Sequence, residues 1–194
     1  GRFLTGGNNV DVSASESADI DAKSVAAAVS LGMGGSNGIA LSGGGAESTN
    51  IILSNTEATV EGSQLGSEEE KVGGVTLAAE STSTIEAEVG AVAASVAFGG
   101  TTGVGAAIGA AIARILIGYD EDGNEVESGV QAKLVDTSVQ AAGELSQSAT
   151  ADQTVDAQVL AGSVALSGGG TTGVALSGAG VSATNKIGTT VNAQ

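Results

Sequence analysis

The chain has 194 residues, enough for one ordinary domain or a short stack of repeats. Its formal net charge of −16 excludes a general nucleic-acid binder, whose surface must be basic, and argues against docking on anionic membranes. Aromatic residues make up only 2% of the chain, and most of its apolar residues are Ala and Val. Such small side chains fill little volume and favour closely stacked sheets or a solenoid over one bulky core.

Three segments of the chain align with one another and define three repeat units. Ile20 and Ile85 lie 65 residues apart, and Ile85 and Val155 lie 70 residues apart. Acidic loops at 67–71 and 119–127 account for the difference, and without them the common period is about 61 residues. We therefore assign unit 1 to residues 1–66, unit 2 to 67–135 with an acidic insertion at 119–127, and unit 3 to 136–194.

Each unit has the pattern of β-strands. Apolar and polar residues alternate in 10–14 and in 154–159, as expected for strands with one buried face. The Gly-rich run 168–173 separates two matching apolar segments and predicts either a hairpin or a tight solenoid corner. Residues 104–112 have a period of four that a helix could share, but the matching segments of the other units alternate. We therefore predict a strand there too.

These patterns predict an all-β fold, an elongated β-solenoid-like stack of three units of about 61 residues plus insertions. A unit of this length exceeds one coil of an ordinary β-helix, so we expect two or three coils per unit, or a small group of hairpins. No membrane-spanning segment is expected, since the apolar stretch 90–118 is interrupted by glycines and carries Arg114. The first residues, 1–4, lack the apolar region of a signal peptide.

Several phrases of the sequence resemble known repeats, namely those at 10–14, 83–87, 176–188 and 191–193. They are similar to repeats of very large bacterial extracellular or cell-surface proteins, which are adhesin-like or filamentous-haemagglutinin-like. The resemblance covers essentially the whole chain. It implies secretion, a β-solenoid-like fold, and a role in surface layers, adhesion, matrix or filaments.

Unit 2 departs from this repeat pattern at one position. Ile115 stands where the other units have Asn50 and Asn185. We expect this residue to interrupt any Asn ladder along the stack.

The sequence does not predict catalysis. Without His or Cys, the chain lacks the usual groups of a nucleophilic triad or a zinc site. One acid recurs at the same place in each unit, as Asp21, Glu86 and Asp156, which is typical of surface patterning rather than of a unique catalytic pair. A carbohydrate-active enzyme is therefore a weak alternative, as only one Tyr and two Phe are available to stack on a sugar.

Calcium is the sharpest site hypothesis. Asp120, Asp122 and Asn124 place oxygen ligands at every second residue around Gly123, as hard cations require. A solvated Asp-Gly turn is the competing interpretation, and the stronger of the two.

We predict a structural protein of an extracellular fibre, surface layer or adhesin stalk, extended by head-to-tail strand stacking with copies or with neighbouring repeats. The alternative is a binding module that recognises a surface glycan or receptor through the loop 119–127, which holds the only Tyr. Ice binding is weaker, since the pair Thr82 and Thr84 has no matching Thr row in unit 1, where Ser13, Ser15 and Ser17 lie elsewhere.

Overall fold

The computed structural model describes residues 3–4 and 7–194 and is built of parallel strands. Residues 1, 2, 5 and 6 lie outside the described residues. They belong to the predicted unit 1, and the first two belong to the stretch 1–4 that lacks the apolar region of a signal peptide. The strands are β1 (Phe3–Leu4), β2 (Val10–Gly34), β3 (Asn37–Ile52), β4 (Asn55–Glu61), β5 (Gln64–Leu65), β6 (Val75–Gly99), β7 (Thr102–Ile117), β8 (Gly129–Val135), β9 (Ser138–Val139), β10 (Leu145–Gly169), β11 (Thr172–Ile187) and β12 (Thr190–Ala193).

The strands form a solenoid in which each one pairs with its equivalents in the neighbouring coils. We name the four three-stranded sheets the long sheet (β2, β6, β10), the facing sheet (β3, β7, β11), the short sheet (β4, β8, β12) and the closing sheet (β1, β5, β9). Ile20 pairs with Ile85, and Ile85 pairs with Val155, all in parallel register. The all-β, solenoid-like stack of three layers is therefore confirmed.

The number of coils per unit was predicted wrongly. The register shows one coil for each repeat, rather than two or three. The physical reason is strand length: β6 has 25 residues and β7 has 16, whereas most strands have about five or six. Because the strands are this long, one coil contains all the residues of a repeat unit.

The common period and its two insertions appear directly in the pairing. Phe3 pairs with Gln64, and Gly129 pairs with Thr190, each 61 residues apart. The acidic loops lie outside the paired strands, one between β5 and β6 and the other between β7 and β8. Longer spacings arise only where a pairing spans one or both loops.

The strand bounds also test the predictions for the Gly-rich run 168–173 and for residues 104–112. The Gly-rich run 168–173 joins β10 to β11, which belong to different sheets, so it is a solenoid corner and not a hairpin. Residues 104–112 lie within β7, which confirms the strand. The described part of the chain contains no helix that could cross a membrane.

The interior narrows from one end of the coil to the other. At the wide end, Leu65, Leu77 and Val130 pack between the long, short and closing sheets. Further along, Ile85 and Ile115 fill the space between the long and facing sheets. Beyond them the packing is almost entirely Ala, because the two sheets draw together.

Near the Gly-rich corner the two sheets meet backbone to backbone. A Cβ added at Gly32 would lie 1.9 Å from the carbonyl oxygen of Ile39, and one added at Gly103 would lie 2.5 Å from that of Gly168. No side chain fits between the sheets at these points. We call the stretch of the long and facing sheets next to this corner the tip.

The two main sheets are staggered by part of a layer. Strand β3 packs against both β2 and β6, and β7 packs against both β6 and β10, whereas β11 packs mainly against β10. As a result the inward side of β11 is open: Val181 is 59% exposed, while its register partner Ala111 in β7 is fully buried.

Candidate functional site

Carboxylates line the outer face of the long sheet in one column. Asp21 pairs with Glu86, and Glu86 pairs with Asp156, with all three side chains pointing away from the interior. The prediction that one acid recurs at this position in each unit is therefore confirmed. The column places like charges about 4.8 Å apart, the usual spacing of paired strands.

A lysine offsets part of this charge in the next column. Lys23 donates to the Oε2 atom of Glu88 in the neighbouring coil, and both side chains are exposed. The hydrogen bond and charge of Glu88 raise the pKa of Lys23 above its usual value. An exposed pair of this kind contributes little to stability. The positive charge of Lys23 also lies close to Asp21, whose negative charge further raises the Lys23 pKa.

The threonines considered for ice binding lie on this same outer face. Contrary to the expectation from the sequence, so do Ser13, Ser15 and Ser17, because all of these positions share one parity of the strand. An aspartate interrupts both threonine columns, which consist of Ser17, Thr82 and Asp152 and of Asp19, Thr84 and Thr154.

The loop 119–127 contains a tight turn closed by Asp120. The amide of Gly123 donates to the Asp120 carbonyl at 3.0 Å, and Gly123 has a φ of +81°, a conformation that glycine adopts easily. The backbone N–H of Asn124 donates to Oδ1 of Asp120 at 2.8 Å, and its side-chain amide donates to Oδ2 at 3.0 Å. Both carboxylate oxygens of Asp120 are thus engaged within the turn.

Two cations hold this loop against the facing sheet. Arg114 donates to the carbonyl of Glu121 at 2.7 Å, and Lys186 donates to that of Gly123 at 3.3 Å. The described residues contain no group of three or more acidic, His or Cys side chains placed to hold a metal ion. Calcium binding by Asp120, Asp122 and Asn124 stays a prediction.

We predict that Asn124→Ala raises the pKa of Asp120. Hydrogen bonds from Asn124, the side-chain amide first, hold this pKa below its ordinary value. A depressed pKa means that the turn is stabilised above the ordinary Asp pKa, and that this contribution is lost as the pH falls through the folded value. The pH dependence of the Asp120 carboxyl NMR shift gives its pKa in the parent and in the variant. Equal Asp120 pKa values in the variant and the parent would contradict this role of Asn124.

The Asn column is interrupted as expected. Ile115 of β7 pairs with Asn50 of β3 on one side and Asn185 of β11 on the other. The two asparagines therefore occupy the outermost coils. Asn50 is buried, and its amide donates to the hydroxyl of Ser48 at 3.1 Å.

Sequence reasoning missed an apolar outer surface at the tip. Within 25–34, 90–99 and 160–169 the long sheet carries no charged residue, and its large apolar side chains point outward. Val29 is 80% exposed and Met33 is 74% exposed. We name this outward apolar area of the long sheet the tip face.

Comparison with known protein families, with curated proteins and with solved structures gives no match. The features of the molecule that bear on its function are the open side of β11, the acidic column, the loop 119–127 and the tip face.

Proposed function

We propose that this chain is a structural module of an extracellular or cell-surface fibre, and that its coils stack end to end with those of further copies. The observation that carries the proposal is the open inward side of β11. Ile187 is 49% exposed there, whereas its partner Ile117 in the middle coil is fully buried. A following coil would cover this surface as β10 covers β7.

The regular register supports the same proposal. Three coils repeat one pairing pattern without a change of direction, so a fourth coil can add by the same pairing. Unpaired strand edges are templates for strand addition. Contacts between the two different ends of a molecule do not close on themselves, so they give filaments.

The asparagines at the two ends fit such a junction. If the pairing of the coils continues into a second copy, Asn185 lies beside Asn50 of that copy, with no isoleucine between them. Two adjacent inward-facing amides can hydrogen-bond to each other along the stack. The junction would then contain the amide pair that Ile115 prevents within the chain.

The extracellular location rests on the resemblance to bacterial surface repeats and on composition. An acidic surface keeps an extended assembly soluble and limits unspecific association. Absence of cysteine leaves stability to the ladder hydrogen bonds and the stacked interior.

Electron microscopy of the purified chain tests the proposal. We expect filaments whose layer spacing of about 4.8 Å runs along the filament axis, with a repeat of about 14 Å for each three-coil copy. Calcium is added in a parallel sample to test the loop prediction. Single three-coil particles at every concentration, by microscopy and by sedimentation, would contradict assembly.

We predict that stacking strengthens with salt. In the proposed junction Asp156 lies beside Asp21 of the next copy, so the acidic column continues with like charges adjacent. Raising ionic strength from about 0.01 M to about 0.15 M shortens the screening length from about 30 Å to about 8 Å. Light scattering should therefore show assembly at lower protein concentration in the higher salt. The variant Asp156→Asn should assemble with a weaker salt dependence, and an unchanged dependence would argue against this register.

The alternative, glycan binding through the loop 119–127, has less support. Its only aromatic residue, Tyr119, is half-buried, with Lys186 Nζ 5.3 Å from the ring centroid. Gly188 packs so close that an added Cβ would lie 3.0 Å from ring atom Cε2. A ring held in this way offers a sugar less free surface than an exposed platform.

A further inference from the structure

At the tip face of the long sheet, the usual arrangement of large apolar side chains inside and smaller or polar ones outside is reversed. Between the sheets stand Gly, Ala and Ser, while Val25, Leu31 and Phe98 point to the outside and are more than half exposed. These residues cannot turn inward. The sheets touch there, as a Cβ at Gly105 would already lie 2.8 Å from the carbonyl oxygen of Leu166.

The tip face is large for a surface left in water. Ten residues per strand, at about 3.3 Å each, and three strands at about 4.8 Å give about 33 Å by 14 Å, or about 460 Å² in projection. Isolated apolar patches on monomeric proteins rarely exceed a few hundred Å², and larger ones mark interaction sites. We therefore expect a partner for this face.

Charge distribution indicates that the partner is a second copy. The chain carries a net charge of −16, yet the tip face has no charged side chain. The acidic column of Asp21, Glu86 and Asp156 lies on the other part of the same sheet. Two copies related by a two-fold axis can meet at their tip faces while their acidic parts point away from each other.

We propose that the tip face packs, sheet against sheet, on the tip face of a second copy in a neighbouring stack. This inference rests on the proposed function, because only stacked copies offer an apolar area large enough for a stable interface between filaments. Stable interfaces need about 800 Å² from each partner, about twice what one three-coil chain offers. Stacks of two or more copies reach this area, so paired filaments form and isolated chains stay unpaired.

The substitution pair Val29→Lys with Leu166→Lys tests the inference. Both residues are exposed in the single coil stack, so the fold tolerates the change. The matched control is Ser13→Lys with Ser148→Lys, which puts the same charge on the same two strands, on the outer polar part of the long sheet. Cryo-electron microscopy gives the filament width and the fraction of paired filaments.

We expect paired filaments for the parent chain and the control, and a fall of about tenfold or more in the paired fraction for the tip variant, because its lysines would be buried without partners. A tip variant that pairs like the parent, or parent filaments that are all single, overturns the inference and leaves the proposed function standing. Single parent filaments that float with neutral phosphatidylcholine vesicles, while the tip variant does not, assign the face to lipid instead. The absence of filaments from the parent chain overturns the proposed function and this inference together.

Discussion

Replacement of Val181 by aspartate is expected to prevent end-to-end stacking while leaving the single chain folded. Val181 lies on the inward side of β11 and is 59% exposed, so an aspartate there is solvated in the isolated chain. In a stack the same position becomes interior, as its fully buried partner Ala111 already is. Burying an unpaired carboxylate costs about 3 kcal/mol or more, which raises the concentration needed for assembly by about 100-fold or more.

Ser182→Asp is the matched control for this experiment. Ser182 is the next residue of β11, and its side chain belongs to the outward parity of the strand, together with Glu47 of β3 in the same column. The charge change is identical, and a following coil does not cover the new side chain, although in the proposed register it lies beside Glu47 of the next copy. An exposed like-charge contact of this kind changes the free energy of assembly by about 1 kcal/mol or less, and salt screens it. Sedimentation at an ionic strength of about 0.15 M should therefore show monomers for Val181→Asp and near-parent assembly for Ser182→Asp. Equal assembly of both variants would contradict the proposed junction.

Gly103→Ala is expected to cost about 3 kcal/mol of unfolding free energy, a large effect for one methyl group. The new Cβ would lie 2.5 Å from the carbonyl oxygen of Gly168 and 3.1 Å from that of Ala97. Both are backbone atoms within long paired strands, so neither can move without disturbing a ladder. The two sheets must separate locally, which opens the Ala-filled interior beside them.

Gly43→Ala provides the comparison, because it adds the same methyl group to the same sheet on its outer side. No atom lies within 4 Å of a Cβ at Gly43. Alanine in a strand is favoured over glycine by about 0.5 to 1 kcal/mol, so this variant should be as stable as the parent or slightly more so. Urea unfolding of the two variants measures the difference. Similar unfolding free energies for the two variants would contradict the role assigned to the sheet contact at Gly103.

Much of the fold could be predicted because the amino-acid sequence repeats three times. The spacing of Ile20, Ile85 and Val155 gave the register, and the homologous segments decided that 104–112 is a strand. The column of recurring acids followed from the same alignment. The number of coils did not follow, because sequence spacing fixes the period and not how often the chain turns within it.

The tip face was missed for a different reason. Within β6, Ile85 and Val89 share the inward parity, whereas Val92, Val96 and Phe98 have the outward parity. Periodicity gives the alternation but not which set faces inward, and a change of phase usually indicates a break between two strands. Here one unbroken strand has large apolar side chains on its inward face in its first part and only Ala, Ser and Gly on that face at the tip. Only the sheet contact at the glycines reveals that the interior has no room for the larger set.

The stagger between the long and facing sheets has a mechanical consequence. Because β7 spans the boundary between β6 and β10, and β3 spans that between β2 and β6, the seams of the two sheets lie at different heights. A tensile load along the stack therefore finds no flat fracture plane. A crack that opens between two strands of the long sheet meets an intact strand of the facing sheet and must shear the packed interior to pass it. Rupture then demands that two hydrogen-bonded ladders and the side-chain contacts between them fail together, so a fibre of such coils should resist pulling better than either sheet alone.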